Sequence, residues 1–181
     1  MVDRIQPAGR EIVIKTIVVH TVTYFIVGFL AFVVFDYSRL YANTTLALFM
    51  RQTTDPMVMA GPLFQPIRGF LFGIAFVILR GCFFARKNGW LFMWTVLVSL
   101  SILGPFGPSP ASLEGMIYTV LPFRLHLIGL PEILLQALLL SVGVVYWVNH
   151  PRQKALTWTM GLLVAVVMVL PILALLATKP R

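Results

Sequence analysis

Six polar side chains have the types and spacing to do chemistry: Arg68, Glu114, Arg124, His126, Glu132 and Gln136. The arginines suit an anion, Glu114 or His126 suits proton transfer, and Glu132 and Gln136, four residues apart, share one face of a helix. All six lie among apolar runs. Charges at membrane depth persist only when paired or wetted, and they mark sites of function by default. Two readings follow. The six line a polar cavity that takes a lipid head group, an ion or a small solute. Alternatively they form one or two salt bridges that pin an irregular segment to its neighbours.

The elements that must position them are membrane helices. Hydrophobic residues make up 59% of the 181 positions and charged residues 11%, against roughly half and a quarter in a soluble domain. Such a chain cannot cover itself with polar surface, so the bilayer is its first partner. A span needs about 20 apolar residues, which leaves no room for a separate soluble domain. The net charge of +8 is spread singly near span ends, without the compact basic run of a nucleic-acid patch. It suits phosphate head groups and topology, and no nucleic-acid partner is expected. The single Cys82 makes no internal disulfide and no cysteine-based metal site.

The pattern predicts an all-α, polytopic membrane helix bundle in one domain. Five spans are expected at about 12–35, 67–84, 90–104, 131–148 and 156–177, the third short for a full crossing. The run 12–35 is too long for the core of a cleaved leader. Asn88-Gly89 marks a tight turn between spans two and three. A broken segment at 105–130 holds Glu114, Arg124 and His126 between prolines and glycines, and reads as re-entrant or interfacial. Pro131 and Glu132 suit the first turn of span four.

Counting bases near span ends favours a cytoplasmic N-terminus in the cell membrane and, with five spans, an outer C-terminus: eight bases fall inside and six outside. Both proline-rich connections, and the six-residue cluster, then face outward. His20 falls about 12 Å into span one, on the inner half, and is expected to hydrogen-bond a neighbouring helix. His20, His126 and His150 sit at different depths, so no shared metal or haem site and no cofactor is expected. Gly69 and Gly73 form G-x-x-x-G, a close-packing pattern for helix contact inside the bundle or with a partner.

No phosphate loop, nucleophile elbow or metal-diphosphate acid pair is present. The favoured function is a non-catalytic accessory or assembly subunit of a membrane complex, associating with other membrane subunits or with itself through Gly69 and Gly73. The second reading is an oligomeric transporter or channel for a small solute or ion. The third is an outer-face enzyme on a lipid or lipid-linked substrate, with Glu114 or His126 as acid–base group and Arg68 and Arg124 holding phosphate.

Overall fold

A computed structural model describes residues 7–104 and 107–177. Three of the bases counted above, Arg4, Lys179 and Arg181, lie outside the described residues, as does Pro105 at the start of the expected broken segment. The fold is an all-α bundle, with no strand among the described residues. Its elements in order are α1 (Gly9–Val34), α2 (Tyr37–Asn43), a 3-10 turn (Thr45–Leu48), α3 (Pro56–Met59), a second 3-10 turn (Gly61–Phe64), α4 (Gln65–Ile78), α5 (Arg80–Phe83), α6 (Gly89–Leu103), α7 (Leu113–Tyr118), α8 (Phe123–Asn149) and α9 (Lys154–Ala177).

Four helical stretches are long and apolar enough to cross a membrane: Gly9–Val34, Gly61–Ile78, Phe123–Asn149 and Lys154–Ala177. The expected third span is the shorter apolar helix Gly89–Leu103. Span two differs from the sequence reading at both ends. Span two starts earlier and ends at Ile78, where Leu79 leaves helical geometry and the separate turn Arg80–Phe83 begins. Pro62 and Pro66 sit in first turns, where a missing N–H costs nothing.

The larger correction concerns α8. It begins at Phe123 and runs 27 residues straight through Pro131, so the broken segment ends at 122 rather than 130. Proline usually ends a soluble helix. In an apolar environment a full break would strand more backbone groups than the single lost hydrogen bond, so the helix continues.

Helix α6 is about 22 Å long and α8 about 40 Å, at 1.5 Å per residue. The segment after α6 folds against the stretch of α8 that α6 does not reach. Gly104 turns the chain at φ +60°. Ser112 Oγ then accepts the Gly115 N–H at 2.9 Å and caps α7. Ala111 packs near Gly129 of α8.

Helix α1 is the hub and packs most extensively on α4, then on α8. A Cβ on Gly69 would lie 2.7 Å from the Ile17 Cα, and one on Gly73 would lie 2.9 Å from the Val13 Cα. The G-x-x-x-G face is thus filled by α1 of the same chain, and self-association through it would require α1 to move away. On the α8 side a Cβ on Gly143 would meet Val19 at 2.8 Å.

These contacts order the two ends of the bundle. Gly9 meets Val77, and Lys15 meets Trp147, at the end with the short turns 84–88 and 150–153. Gly28 and Tyr37 meet Glu132 at the other end, with connections 35–64 and 104–122. The turn end is tightly filled by Ile12, Val19, Phe76, Phe83, Met93, Leu140, Val144 and Trp147. Trp147 is therefore part of the core; its carbonyl accepts Lys15 Nζ at 3.2 Å.

Candidate functional site: a polar cavity between four helices

The loop half of the bundle is not filled in this way. A cavity of about 210 Å³ lies there between α1, α4, α6 and α8, lined by His20, Tyr24, Arg68, Phe72, Ser101, Glu132 and Gln136 together with apolar residues of α6 and α8. Three of the six predicted residues meet here: Arg68, Glu132 and Gln136.

Each polar wall has its own support. On α8, Glu132 is half-buried and its Oε2 accepts a short hydrogen bond from the Tyr37 hydroxyl of α2. Tyr37 stacks on Tyr41 at 5.1 Å. Burial, then the Glu132 carboxylate, pushes both phenols up, Tyr41 to about 12. Both stay protonated at neutral pH, so Tyr37 is the donor. Gln136 lies one turn further along. Its amide nitrogen donates to Thr23 Oγ1 at 3.1 Å, while Thr23 donates to the Val19 carbonyl at 2.8 Å. The Gln136 Oε1 is left buried and without a partner.

On the opposite wall, His20 of α1 is 2% exposed and its Nε2 lies 3.2 Å from Gln65 Oε1 of α4. The Gln65 amide nitrogen donates to the Gly61 carbonyl at 3.1 Å, which fixes Oε1 as the acceptor. In the neutral ring His20 therefore carries its proton on Nε2, and Nδ1 is a buried acceptor with no partner. The same Gln65 Oε1 receives Arg68 at 3.4 Å, and the guanidinium sits 5.4 Å above the Tyr24 ring. The chain His20–Gln65–Arg68 thus orients an exposed cation at the rim.

Arg68 and Glu132 border one cavity without touching. The ion pairs among the described residues are Lys15–Glu11 at 3.5 Å and Arg51–Asp55 at 3.0 Å, so neither Arg68 nor Glu132 has an ionic partner.

The other three predicted residues lie elsewhere. His126 is fully buried; its Nδ1 accepts the Ala111 N–H at 3.1 Å, and Nε2 has no partner. It cannot reach a substrate as an acid or base. Arg124 is exposed and Glu114 half-buried, and no ion pair joins either to the bundle. Among the described residues no salt bridge pins the segment before α8: His126 ties it to α8 through the Ala111 N–H, and Ser112 braces it internally by bonds to Ser109 and Gly115.

His20 was left out of the six-residue cluster, although it hydrogen-bonds a neighbouring helix as expected, through Gln65 of α4. Helix α1 starts at Gly9, not at 12, which places His20 near its middle and within reach of the cavity. A signal was available. Thr16, His20 and Thr23 stand at i, i+4 and i+7, one polar face on an apolar helix. Tyr37 and Gln65, both outside the expected spans, carried no such signal. Among the described residues no group of three or more His, Cys, Asp or Glu could hold a metal ion. Compared with protein-family models, curated proteins and solved structures, the chain matches none.

Proposed function

We propose that this chain binds a small polar solute at membrane depth and acts as a carrier or pore subunit for it. The observation that carries this reading is the pair of opposite, unpaired charges, Arg68 and Glu132, facing one cavity between four helices. A half-buried carboxylate without a counter-charge costs a few kcal/mol at such depth, and an occupant that pairs with Glu132, and with Arg68 at the rim, offsets that cost. The geometry favours the solute reading over the outer-face enzyme, because buried His126 and distant Glu114 leave that reaction without its acid–base group. With the N-terminus cytoplasmic in the cell membrane, the cavity lies in the outer half of the bundle, below connection 35–64.

The test is isosmotic swelling of proteoliposomes in urea, glycerol or glycine, against protein-free vesicles. The expected result is faster swelling in at least one solute, lost in Glu132→Gln and in Arg68→Gln while both variants keep the parent melting temperature. Swelling equal to empty vesicles in every solute would sink the reading.

The accessory-subunit reading has its own support in α9. Only 11% of its most apolar window is buried, against 39% for α1, which leaves Trp158, Leu162 and Leu176 facing lipid or another membrane subunit. A companion protein that copurifies in mild detergent, and is lost with Leu162→Trp, would mark α9 as its docking helix. The two roles are compatible in one oligomer.

A further inference from the structure

Resting on the solute reading, the arrangement of charge narrows the class of ligand. An anion alone would pair with Arg68 but meet Glu132. A cation alone would pair with Glu132 but meet Arg68. A neutral solute would leave Glu132 without a counter-charge where that is costly, and Arg68 at the rim unused. A molecule that carries both signs satisfies both walls and adds no net charge to the membrane interior.

Hydrogen-bond capacity divides largely the same way, the exception being His20 Nδ1, a neutral acceptor on the arginine side. On the α8 wall Gln136 has committed its amide nitrogen to Thr23, so Oε1 is a bare acceptor one turn from the Glu132 carboxylate. Tyr37 occupies Glu132 Oε2 and leaves Oε1 open. That wall therefore asks for an N–H donor. On the α4 wall Arg68 spends one N–H on Gln65 and keeps the rest of its donors for an anion. His20, two bonds removed from the guanidinium through Gln65, positions it.

We infer that the cavity takes a small zwitterion, with an anionic group on Arg68 and a primary ammonium on Glu132 and Gln136. The cavity of about 210 Å³ lies below the usual range for drug-sized ligands, which favours a small ligand. Two sources share this chemistry: a free amino acid or amino sulfonate, and the phosphoethanolamine head group of a lipid. The exposed position of Arg68 at the rim leaves room for either.

The experiment follows the melting of the full chain in non-ionic detergent at fixed ionic strength. The probes are glycine and taurine, with acetate and ethylammonium as single-charge controls, and phosphatidylethanolamine against phosphatidylglycerol as lipids. The inference expects zwitterions to raise the melting temperature saturably, with neither single ion doing so at the same concentration. Arg68→Gln and Glu132→Gln should each weaken the effect at least tenfold. A response to phosphatidylethanolamine without one to the free compounds assigns the lipid source, and the reverse assigns the free solute. Should a variant fail to fold, competition in the parent protein decides: taurine must displace glycine, and acetate or ethylammonium at the same concentration must not. Stabilisation by acetate alone or ethylammonium alone, equal to that by glycine, overturns the zwitterion. Swelling in urea or glycerol with indifference to every zwitterion also overturns it while leaving the solute reading intact; absence of both swelling and binding removes both.

Discussion

Two histidines are fully buried, His20 near the middle of α1 and His126 near the start of α8. Each sits against a glycine of a neighbouring element, His20 against Gly69 and His126 against Gly115, and each keeps one ring nitrogen without a partner. Their partners differ. His126 holds a backbone N–H, that of Ala111, in a segment where Ala111 itself adopts φ +65°. His20 holds a side chain, Gln65, which in turn holds Arg68. A bond to backbone fixes where the chain goes. A bond to a side chain fixes where a charge points, and that charge can be used. The first region is a clasp and the second is a site, although both present the same residue type in the same burial.

The strongest way to break this comparison is through the glycines. Gly69→Ala would put a Cβ against the Ile17 backbone, which cannot rotate away. The α1–α4 seam must open, at a cost of about 3 kcal/mol, the upper end of overpacking effects. The expected result is a large fall in melting temperature together with loss of ligand response. Gly115→Ala meets the Ser109 carbonyl in the same way, but it should loosen the 104–122 segment and leave the cavity able to bind. If Gly115→Ala abolished binding as completely as Gly69→Ala, the two regions would be one unit and the distinction would fail.

His126→Phe comes next. The ring is kept but the acceptor is lost, leaving the buried Ala111 N–H unpaired at a cost of about 2 kcal/mol. Starting from Cys82→Ser, single cysteines at Ser109 and Tyr118 should label faster with a membrane-impermeant thiol reagent. His20→Phe loses one side-chain bond and should cost about 1 kcal/mol, yet it should reduce ligand affinity by freeing Gln65 and Arg68. Stability thus ranks His126 above His20, and binding ranks them the other way. Equal effects of both variants on both readouts would show that His20 is only structural.

Much of the fold was legible because membrane helices announce themselves by length and composition. The run 156–177 and the helix Lys154–Ala177 nearly coincide. Gly69 and Gly73 pointed to a seam, and the seam is there. The end of the broken segment was misread because Pro131 breaks helices in water, whereas the apolar surroundings favour keeping α8 whole. Half of the site was legible for a similar reason. Glu132 and Gln136 share a face by helical spacing, and Arg68 is an isolated charge in a span. Glu114, Arg124 and His126 were grouped with them because all were expected on the outward side, although α8 carries Arg124 and His126 two turns beyond the cavity. The support from Tyr37 and Gln65 depends on how connection 35–64 folds back over the bundle, and nothing in local periodicity encodes that.

The smallest expected effect lies in that connection, away from both histidines. Asp55 caps α3 by accepting the Met57 N–H at 2.8 Å and pairs with Arg51 at 3.0 Å. The backbone bond, then the arginine, holds its carboxyl below the ordinary carboxylate value. A folded value below the unfolded one contributes stability above the unfolded value, near pH 3.9, and loses it as pH falls through the folded value. Because the group is exposed, the effect stays local. Amide exchange, corrected for its intrinsic pH dependence, should quicken at 57–59 as the pH drops below about 4, and Asp55→Asn should show the quicker rate at all pH values. Exchange at Ala111, clasped by His126, should not follow. Acid loosening at Ala111 in step with 57–59 would mean that the connection and the clasp open together, and the loop end of the bundle would then be one cooperative cover over the cavity.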